Sequence, residues 1–378
     1  MIEDMDRRTL LSGVAVIGAA TLVGCSGGSK GGDGRVATSS STPPPATDVP
    51  SPTATPTAGT PTIAGTVATG LNVPWGIAFL AGGDALVSQR DAGTIVRVAT
   101  DGSVTELGEV PGSAGRAGGE GGLLGLAVDP DDQSVLFAYV TTATDDRVVR
   151  MSLDGDTLGR PRDILTGIPV GARHHGGRLV FGPDGTLFVS TGDAGDGSLA
   201  LDRDSLAGKI LRIDRDGAAA DGNPFGNRTW SYGHRNIEGL AFDADGRLWA
   251  TEFGDKSADE LNLIERGGNY GWPGVEGKGG GKGLVDPLVT WGTDEASPAG
   301  LAITRSTAYI GALQGECLFA VPLDGERAGA PTAHFAGDHG RIRSIAVAPD
   351  GALWVTTSNT DGRGDPGTDD DRILRVTI

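Results

Sequence analysis

Short apolar strands alternate with polar turns along most of the chain, and the pattern repeats six times. Each unit has an apolar strand, a turn, a second apolar strand, a polar loop and a third strand. Alternation with a period of two, as in Thr186-Leu-Phe-Val-Ser and Arg247-Leu-Trp-Ala-Thr, is typical of strands. The units recur about every 45 to 60 residues, which is the spacing of propeller blades. They cover residues 75–98, 124–151, 178–213, 238–264, 299–321 and 343–376.

The turn residues between the first two strands support this interpretation. Asp-Gly pairs at 184–185, 245–246 and 350–351 each separate two apolar runs, and Asp-Gly supplies the positive φ angles of tight hairpins. The 64 glycines disfavour helices, and no helical periodicity of useful length is present. We therefore predict an all-β, six-bladed β-propeller. A strand at 62–68 should pair with the last strand, at 372–378, and close the ring without a free edge.

The first 62 residues differ in composition from the repeats. Arg7 and Arg8 precede an apolar run at 10–23, which is short for a membrane span and ends near Cys25. This resembles a signal peptide with a lipobox at 1–25; a short non-cleaved anchor stays open, as does the choice between Tat and Sec export. Residues 26–62, rich in Ser, Thr, Pro and Gly, are expected to form a disordered linker. We expect an exported cell-envelope lipoprotein, anchored through Cys25 on the outer side of the cytoplasmic membrane, with its propeller at 63–378.

Charge and cysteine content narrow the class of function. The formal net charge is −18, which argues against a nucleic-acid partner because such binding requires basic patches. Some of the excess carboxylate could bind calcium. Cys317 is the only cysteine after Cys25, so the expected mature domain must be stable through packing, without an internal disulfide.

Polar and charged residues stand just before the first strand of several units. First strands line the channel of a propeller, so these residues should gather at one channel mouth. Their arginines exceed their carboxylates, which favours an anionic ligand, and a neighbouring histidine is a candidate general base. Each residue could instead satisfy loop backbone or a neighbouring blade. The set comprises Glu120, His174, His175, His234, Arg235, Asn236, Arg341 and Arg343.

A series of motifs carries a family resemblance. They are Glu-Gly-Gly-Leu-Leu-Gly-Leu-Ala at 120–127, His-His-Gly-Gly-Arg-Leu at 174–179, Gly-Lys-Ile-Leu-Arg-Ile at 208–213, Tyr-Gly-His-Arg-Asn at 232–236, Gly-Gly-Asn-Tyr-Gly-Trp-Pro at 267–273 and Arg-Ile-Arg-Ser-Ile at 341–345. Together they resemble the glucose/sorbosone dehydrogenase family, the soluble aldose sugar dehydrogenases that use pyrroloquinoline quinone (PQQ). The resemblance implies a six-bladed propeller with the quinone at the channel mouth. It also implies a histidine that takes the proton of the sugar's anomeric hydroxyl, hydride transfer to the quinone, and a calcium ion that polarises the quinone carbonyl.

The resemblance also implies roles for single residues. His174 matches the base, and His175 is the alternative because a shift of one residue exchanges them. Arg235 lies where the family contacts both the quinone and the reacting oxygen. The implied quinone contacts are Glu120, Arg235, Asn236, Gln314, Arg341 and Arg343. The implied calcium contacts are the Gly254 and Asp255 carbonyls for a catalytic ion, and Glu260 with the Tyr270 carbonyl for a structural ion.

Some positions depart from the family pattern. Glu120 stands where members often have glutamine, Gln314 where some have a lysine on the quinone, and Ile237 and Glu238 where the pattern has proline and glutamine. The main expectation is an enzyme that oxidises aldoses to lactones and passes electrons to an external acceptor. A non-catalytic, calcium-binding propeller that binds carbohydrate or acts as a scaffold is the alternative, and a calcium-dependent lactonase is a third candidate. The sugar, the acceptor and the oligomeric state stay open.

Overall fold

The computed structural model describes residues 59–115 and 119–378, and their regular secondary structure is almost entirely β-strands in six sheets. The expected signal peptide and most of the expected linker lie outside the described residues. The first strand, β1 (Thr62–Ala68), begins at the last residue of that expected linker. Within the described part of the chain, no helix is both long and apolar enough to cross a membrane.

Each sheet is one blade. Blade one contains β2 (Pro74–Phe79), β3 (Ala85–Gln89), β4 (Thr94–Val98) and β5 (Val104–Glu109); blade two contains β6 (Leu123–Val128), β7 (Val135–Thr141), β8 (Asp146–Asp154), β9 (Thr157–Leu158) and β10 (Arg162–Ile168). Blade three contains β11 (Gly176–Phe181), β12 (Leu187–Thr191), β13 (Lys209–Ile213) and β14 (Thr229–Tyr232), with α1 (Ser198–Leu201) between β12 and β13. Blade four contains β15 (Ile237–Phe242), β16 (Leu248–Glu252), β17 (Asp259–Leu263) and β18 (Val289–Trp291). Blade five contains β19 (Pro298–Thr304), β20 (Thr307–Ala312), β21 (Cys317–Asp324), β22 (Arg327–Ala328) and β23 (Thr332–His334); blade six contains β24 (Ile342–Val347), β25 (Leu353–Thr357) and β26 (Ile373–Thr377).

The six blades form a closed ring. The first strands β2, β6, β11, β15, β19 and β24 each contact the first strand of the next blade, and β24 contacts β2. Strand β1 completes blade six by pairing antiparallel with β26, with Thr62 opposite Thr377 and Ala68 opposite Ile373. The predicted six-bladed propeller and its closure by the two ends of the domain are therefore confirmed.

The second strand of every blade is buried along its whole length, in β3, β7, β12, β16, β20 and β25. Alternation in the sequence does not say how many faces of a sheet are covered; each sheet here packs between two others, so both of its faces are covered. The buried hydroxyls of these strands join neighbouring blades. Ser190 Oγ donates to the Ile237 carbonyl at 2.8 Å, and Thr251 Oγ1 donates to the Ala299 carbonyl at 2.5 Å. A polar residue is tolerated there because its hydroxyl has an acceptor.

The Asp-Gly turns form as predicted. Gly185 has a φ of 76°, a value that glycine adopts without steric cost. Asp184 Oδ1 accepts a hydrogen bond from the Thr186 backbone N–H at 3.0 Å, which fixes the entry into β12. The hairpin lies at the end of blade three opposite to the histidine pair, because β11 runs from the histidines to this turn.

A matched pair of substitutions tests the blade core. Leu211 in β13 is fully buried, whereas Leu201 in α1 is 44 % exposed. We expect Leu211→Ala to lower the free energy of unfolding by about 2–5 kcal/mol, because it leaves a cavity between blades. Leu201→Ala removes the same atoms from the surface and should change the free energy of unfolding by no more than about 0.5 kcal/mol. Urea unfolding measures both, and equal losses would contradict this packing.

Candidate active site

One end of the channel opens into a cavity of about 270 Å³. Its walls come from residues that precede first strands and residues that follow second strands, since both lie at the same edge of an antiparallel pair. The cavity brings together eight of the predicted site residues: Glu120, His174, Arg235, Asn236, Gly254, Gln314, Arg341 and Arg343. Five predicted residues, His175, His234, Asp255, Glu260 and Tyr270, lie outside its lining. His234 is fully buried instead, with its Nδ1 2.8 Å from Glu252 Oε2.

His174 is fixed in the cavity wall by its backbone and its ring. Its N–H donates to Glu120 Oε2 at 2.8 Å, and its Nδ1 lies 2.6 Å from Asp193 Oδ1. His174 has a left-handed φ of 62°, and a Cβ on Gly192 would lie only 1.8 Å from its carbonyl oxygen, so this approach requires glycine. A carboxylate only accepts hydrogen bonds, so the proton is assigned to Nδ1, and the Nε2 lone pair stays available.

Asp193 is a buried carboxylate with several donors. Its Oδ1 accepts from the Gly195 N–H at 2.7 Å as well as from His174, and its Oδ2 accepts from Trp272 Nε1 at 2.8 Å. Burial opposes its ionisation, but the hydrogen bonds from His174, Gly195 and Trp272 and the charge of His174 outweigh burial and lower its pKa below the usual value. The charged carboxylate can stabilise a protonated histidine, as in a catalytic triad.

His175 faces away from the cavity. Its Nδ1 lies 2.9 Å from Asp146 Oδ2 and 3.4 Å from Thr141 Oγ1, and its carbonyl accepts from Tyr139 Oη at 2.9 Å. These contacts join blade two to the start of blade three. Of the two candidate bases, His174 is the one with access to the cavity, and the catalytic role itself stays a prediction.

Arg341 and Arg343 share one buried carboxylate. Arg341 Nε and Nη2 are each 3.2 Å from Asp361 Oδ2, and Arg343 Nη2 is 3.5 Å from the same oxygen. Arg343 Nη1 also donates to Glu238 Oε2 at 2.6 Å. Burial opposes ionisation of Asp361, yet the charges of Arg343 and Arg341 outweigh it and lower the pKa of Asp361. The two guanidinium groups are thereby held rigidly at the cavity wall.

Carboxylates outside the predicted rim set also pair with its arginines. Arg235 Nη2 lies 3.3 Å from Asp255 Oδ1, while Glu120 Oε1 lies 2.8 Å from Nη2 of a further arginine, Arg363. Asp255, Asp361 and Glu238 together pair the three rim arginines that the sequence left unmatched. An excess of rim arginine was therefore the wrong reason to expect an anion.

Unpartnered guanidinium nitrogens give a better reason. In the part of the chain that the structure describes, Arg235 Nε and Arg90 Nη2 are buried and have no hydrogen-bond partner. Both arginines line the cavity. A buried donor without an acceptor costs roughly 1–3 kcal/mol, more if charged, so an acceptor group that reached either nitrogen would be favoured.

A second, much smaller cavity of about 10 Å³ lies beside the first and borders Glu252, Glu260 and Tyr270. Glu260 Oε1 accepts from the Gly277 N–H at 2.7 Å, and its Oε2 accepts from Asn262 Nδ2 at 2.9 Å. Burial, and then the charge of Glu252, raise the pKa of Glu260 to about 7. Two buried carboxylates beside a space of this size would suit one small cation.

Side chains alone do not complete a metal centre. Among residues 59–115 and 119–378, no three His, Cys, Asp or Glu side chains group closely enough to hold a metal ion. A cation here would need backbone carbonyls, which is the ligand type expected for Gly254, Asp255 and Tyr270. The Glu276 carboxylate accepts from the Asp255 N–H at 3.1 Å and helps to fix that loop.

Comparison with known proteins assigns the family. Residues 71–374 match the family model described as glucose/sorbosone dehydrogenase. The chain belongs to the glucose/sorbosone dehydrogenase family. The family expected from the motifs is confirmed, and with it the expected class of activity, a sugar oxidoreductase.

Three members of the family illustrate the similarity. The structure of the PQQ-bound aldose sugar dehydrogenase from Streptomyces coelicolor is 51% identical with a TM-score of 0.82, covering 86% of this chain and 99% of that one. Aldose sugar dehydrogenase YliI of Escherichia coli is 30% identical over 77% of this chain and 89% of its own length. Quinoprotein glucose dehydrogenase B of Acinetobacter calcoaceticus is 34% identical over 55% of this chain and 51% of its own.

Several site residues escaped the sequence analysis. The repeat pattern indicated residues at the start of first strands, whereas Arg90 follows β3, Asp193 follows β12 and Asp361 follows β25. Second strands end at the same channel mouth, so aligning their last residues across the repeats could have found these three. Trp272 lies in the long loop between β17 and β18, and no repeat position identifies it.

The shared carboxylate gives a stability prediction. Asp361→Asn keeps the shape but removes the charge between Arg341 and Arg343, and should lower the free energy of unfolding by about 3–5 kcal/mol. The control is Asp350→Asn, since Asp350 pairs with Arg375 but its side chain is 56 % exposed; we expect a loss below about 1 kcal/mol. Denaturant unfolding without added ligand measures both. A small loss for Asp361→Asn would mean that these arginines are solvated rather than buried.

Proposed function

We propose that this protein oxidises the anomeric hydroxyl of aldose sugars to lactones, using PQQ and calcium in the channel cavity. The observation that carries this function is His174, held by the Asp193 carboxylate in the wall of a cavity that also contains unpartnered guanidinium nitrogens. Membership of the family supports the same chemistry, and the PQQ-bound relative from Streptomyces coelicolor supports the cofactor.

The cavity residues fit a flat polycarboxylate. Arg235 Nε and Arg90 Nη2 lack acceptors among the described residues, and carboxylates are the acceptors that guanidinium groups bind best. Asn236 adds an amide, although its Oδ1 is already used by the Gly176 N–H at 2.9 Å. Arg341 and Arg343 add guanidinium groups fixed by Asp361. When bound, PQQ supplies the acceptor for the hydride that leaves the anomeric carbon.

His174 provides the base. Its Nε2 accepts the proton of the anomeric hydroxyl as the C–H bond yields its hydride, so the sugar loses two electrons and two hydrogens and becomes a lactone. Asp193 stabilises the resulting imidazolium through Nδ1–H, 2.6 Å away, and holds the ring in one orientation. Arg235 lies on the cavity wall, with its Nη2 3.3 Å from Asp255 Oδ1. Its guanidinium group can bind the reacting oxygen of the sugar as that oxygen gains negative charge.

The departures from the family pattern leave the cavity compatible with an anionic cofactor. Glu120 is neutralised by Arg363, and Glu238 is neutralised by Arg343. Gln314 lies on the lining without a charge. The additional carboxylates therefore come with their own arginines, and the cavity need not repel PQQ.

A calcium ion completes the proposed centre. Glu260, Glu252 and Tyr270 border a space large enough for one ion, Gly254 lines the main cavity, and Asp255 is its neighbour in the chain. A cation there would offset the repulsion that raises the pKa of Glu260. In the cell, we place this domain outside the cytoplasmic membrane, anchored through Cys25, where an external acceptor takes the electrons.

The first experiment separates the two histidines. Apoprotein with PQQ, calcium, glucose and a dye acceptor should reduce the dye, and His174→Ala should lower kcat about 10²–10⁴-fold because the general base is lost. His175→Asn, which keeps a donor near Asp146, should retain most of the activity. Dye reduction that survives His174→Ala would remove His174 as the base. PQQ-independent lactone hydrolysis, or calcium binding with no dye reduction, would favour one of the other two propeller functions.

The second experiment concerns calcium. Adding calcium to the apoprotein should raise Tm, because a ligand that binds only the folded state stabilises it, by about 2.7 kcal/mol at 100 times Kd. Glu260→Gln should abolish this increment, and Glu265→Gln, an exposed glutamate of the same region, should preserve it. Differential scanning calorimetry with calcium and with magnesium makes the measurement. An increment that is unchanged in Glu260→Gln would place the ion elsewhere.

A further inference from the structure

Trp272 contacts two groups of the proposed active site, the Asp193 carboxylate and the Arg235 guanidinium. Its Nε1 donates to Asp193 Oδ2 at 2.8 Å. The guanidinium carbon of Arg235 lies 5.5 Å from the centre of the indole ring, within the range of a cation–π contact. One side chain therefore contacts both the carboxylate that holds His174 and an arginine of the cavity wall.

The indole N–H completes the coordination of Asp193. Oδ1 already accepts from His174 Nδ1 and from the Gly195 N–H. Trp272 is the donor that the structure places on Oδ2. With donors on both oxygens, the carboxylate cannot rotate without breaking a buried hydrogen bond.

The surrounding loops are built to hold the indole. The Trp272 N–H donates to the Gly233 carbonyl at 3.0 Å. A Cβ on Gly197 would lie 3.0 Å from Trp272 Nε1 and 2.8 Å from Pro273, so the glycine permits close approach of the loop that follows Asp193. The indole ring, which belongs to the same loop as Tyr270, is thus held against blade three.

We propose that Trp272 is a positioning residue: its indole N–H orients the Asp193 carboxylate, and through it the His174 ring, while its ring face orders Arg235. This inference rests on the proposed function, since it assigns a role in that same site. Substitutions can separate the two roles of this side chain. Trp272→Phe keeps an aromatic ring and loses the N–H donor, whereas Trp272→Leu loses both.

The test compares Trp272→Phe and Trp272→Leu with Trp230→Phe. Trp230 is a suitable control because, within the described residues, its buried indole N–H has no acceptor. For Trp272→Phe we expect kcat to fall roughly 10-fold or more, the size typical of lost outer-shell partners, with KM and the Kd of PQQ changed less than about 3-fold. Trp272→Leu should also weaken PQQ binding. Trp230→Phe should leave all three constants unchanged.

A readout in the apoprotein does not depend on turnover. The Nδ1 proton between His174 and Asp193 should give a downfield proton resonance, assigned by its absence in His174→Ala. This resonance should shift or broaden in Trp272→Phe, and also in Gly197→Ala, because the added Cβ displaces the intact indole. It should keep its position in Trp230→Phe. An unshifted resonance with unchanged kcat in Trp272→Phe would overturn the inference. If the wild type shows no PQQ-dependent activity, the proposed function fails, but the resonance still decides the role of Trp272.

Discussion

Each blade is antiparallel, so the chain enters the first strand and leaves the second strand at the same end of the channel. This constraint determines where most groups of the candidate site come from. His174 and Arg235 precede first strands, and Asp193 and Asp361 follow second strands, at the same end. Residues far apart in sequence are thereby placed within hydrogen-bond distance without any long loop spanning the ring. The buried hydroxyls of the second strands keep neighbouring blades in register, so these ends hold fixed positions.

The electrostatics of the cavity follow from burial. A buried guanidinium group requires a carboxylate, and Asp361, Glu238, Glu120 and Asp255 provide one for each of the paired arginines. A ligand would therefore bind to the few guanidinium N–H groups that have no acceptor, and not to a net positive charge. This is how a cavity lined by arginines occurs in a chain whose formal net charge is −18.

The repeat predicted the fold well because it combines strand periodicity, Asp-Gly turns and the pairing of the two ends. The same repeat located His174 and Arg343 at the channel mouth. The repeat could not distinguish His174 from His175, because the backbone conformation decides which of two adjacent side chains faces the cavity. The left-handed φ of His174 is set by contacts with Gly192 and Glu120. Nor could the repeat find Trp272, whose position depends on packing between a long loop and another blade.

The burial of the second strands also lies beyond what the repeat shows. Strand periodicity does not say how many faces of a sheet are covered, whereas the radial array covers both faces and gives polar side chains acceptors across the blade interface. Ser190 and Thr251 are buried in this way. Sequence patterns describe one sheet at a time, and the propeller is defined by contacts between sheets.

The most direct test of the central claim is calorimetric titration of the calcium-loaded apoprotein with PQQ, and then with its trimethyl ester. If the cavity holds the cofactor through guanidinium groups, one PQQ binds per chain, and the ester, which has no ionised carboxylate to pair with them, binds at least about 10-fold more weakly. Absence of PQQ binding, or equal affinity for the acid and the ester, would contradict this assignment of the cavity.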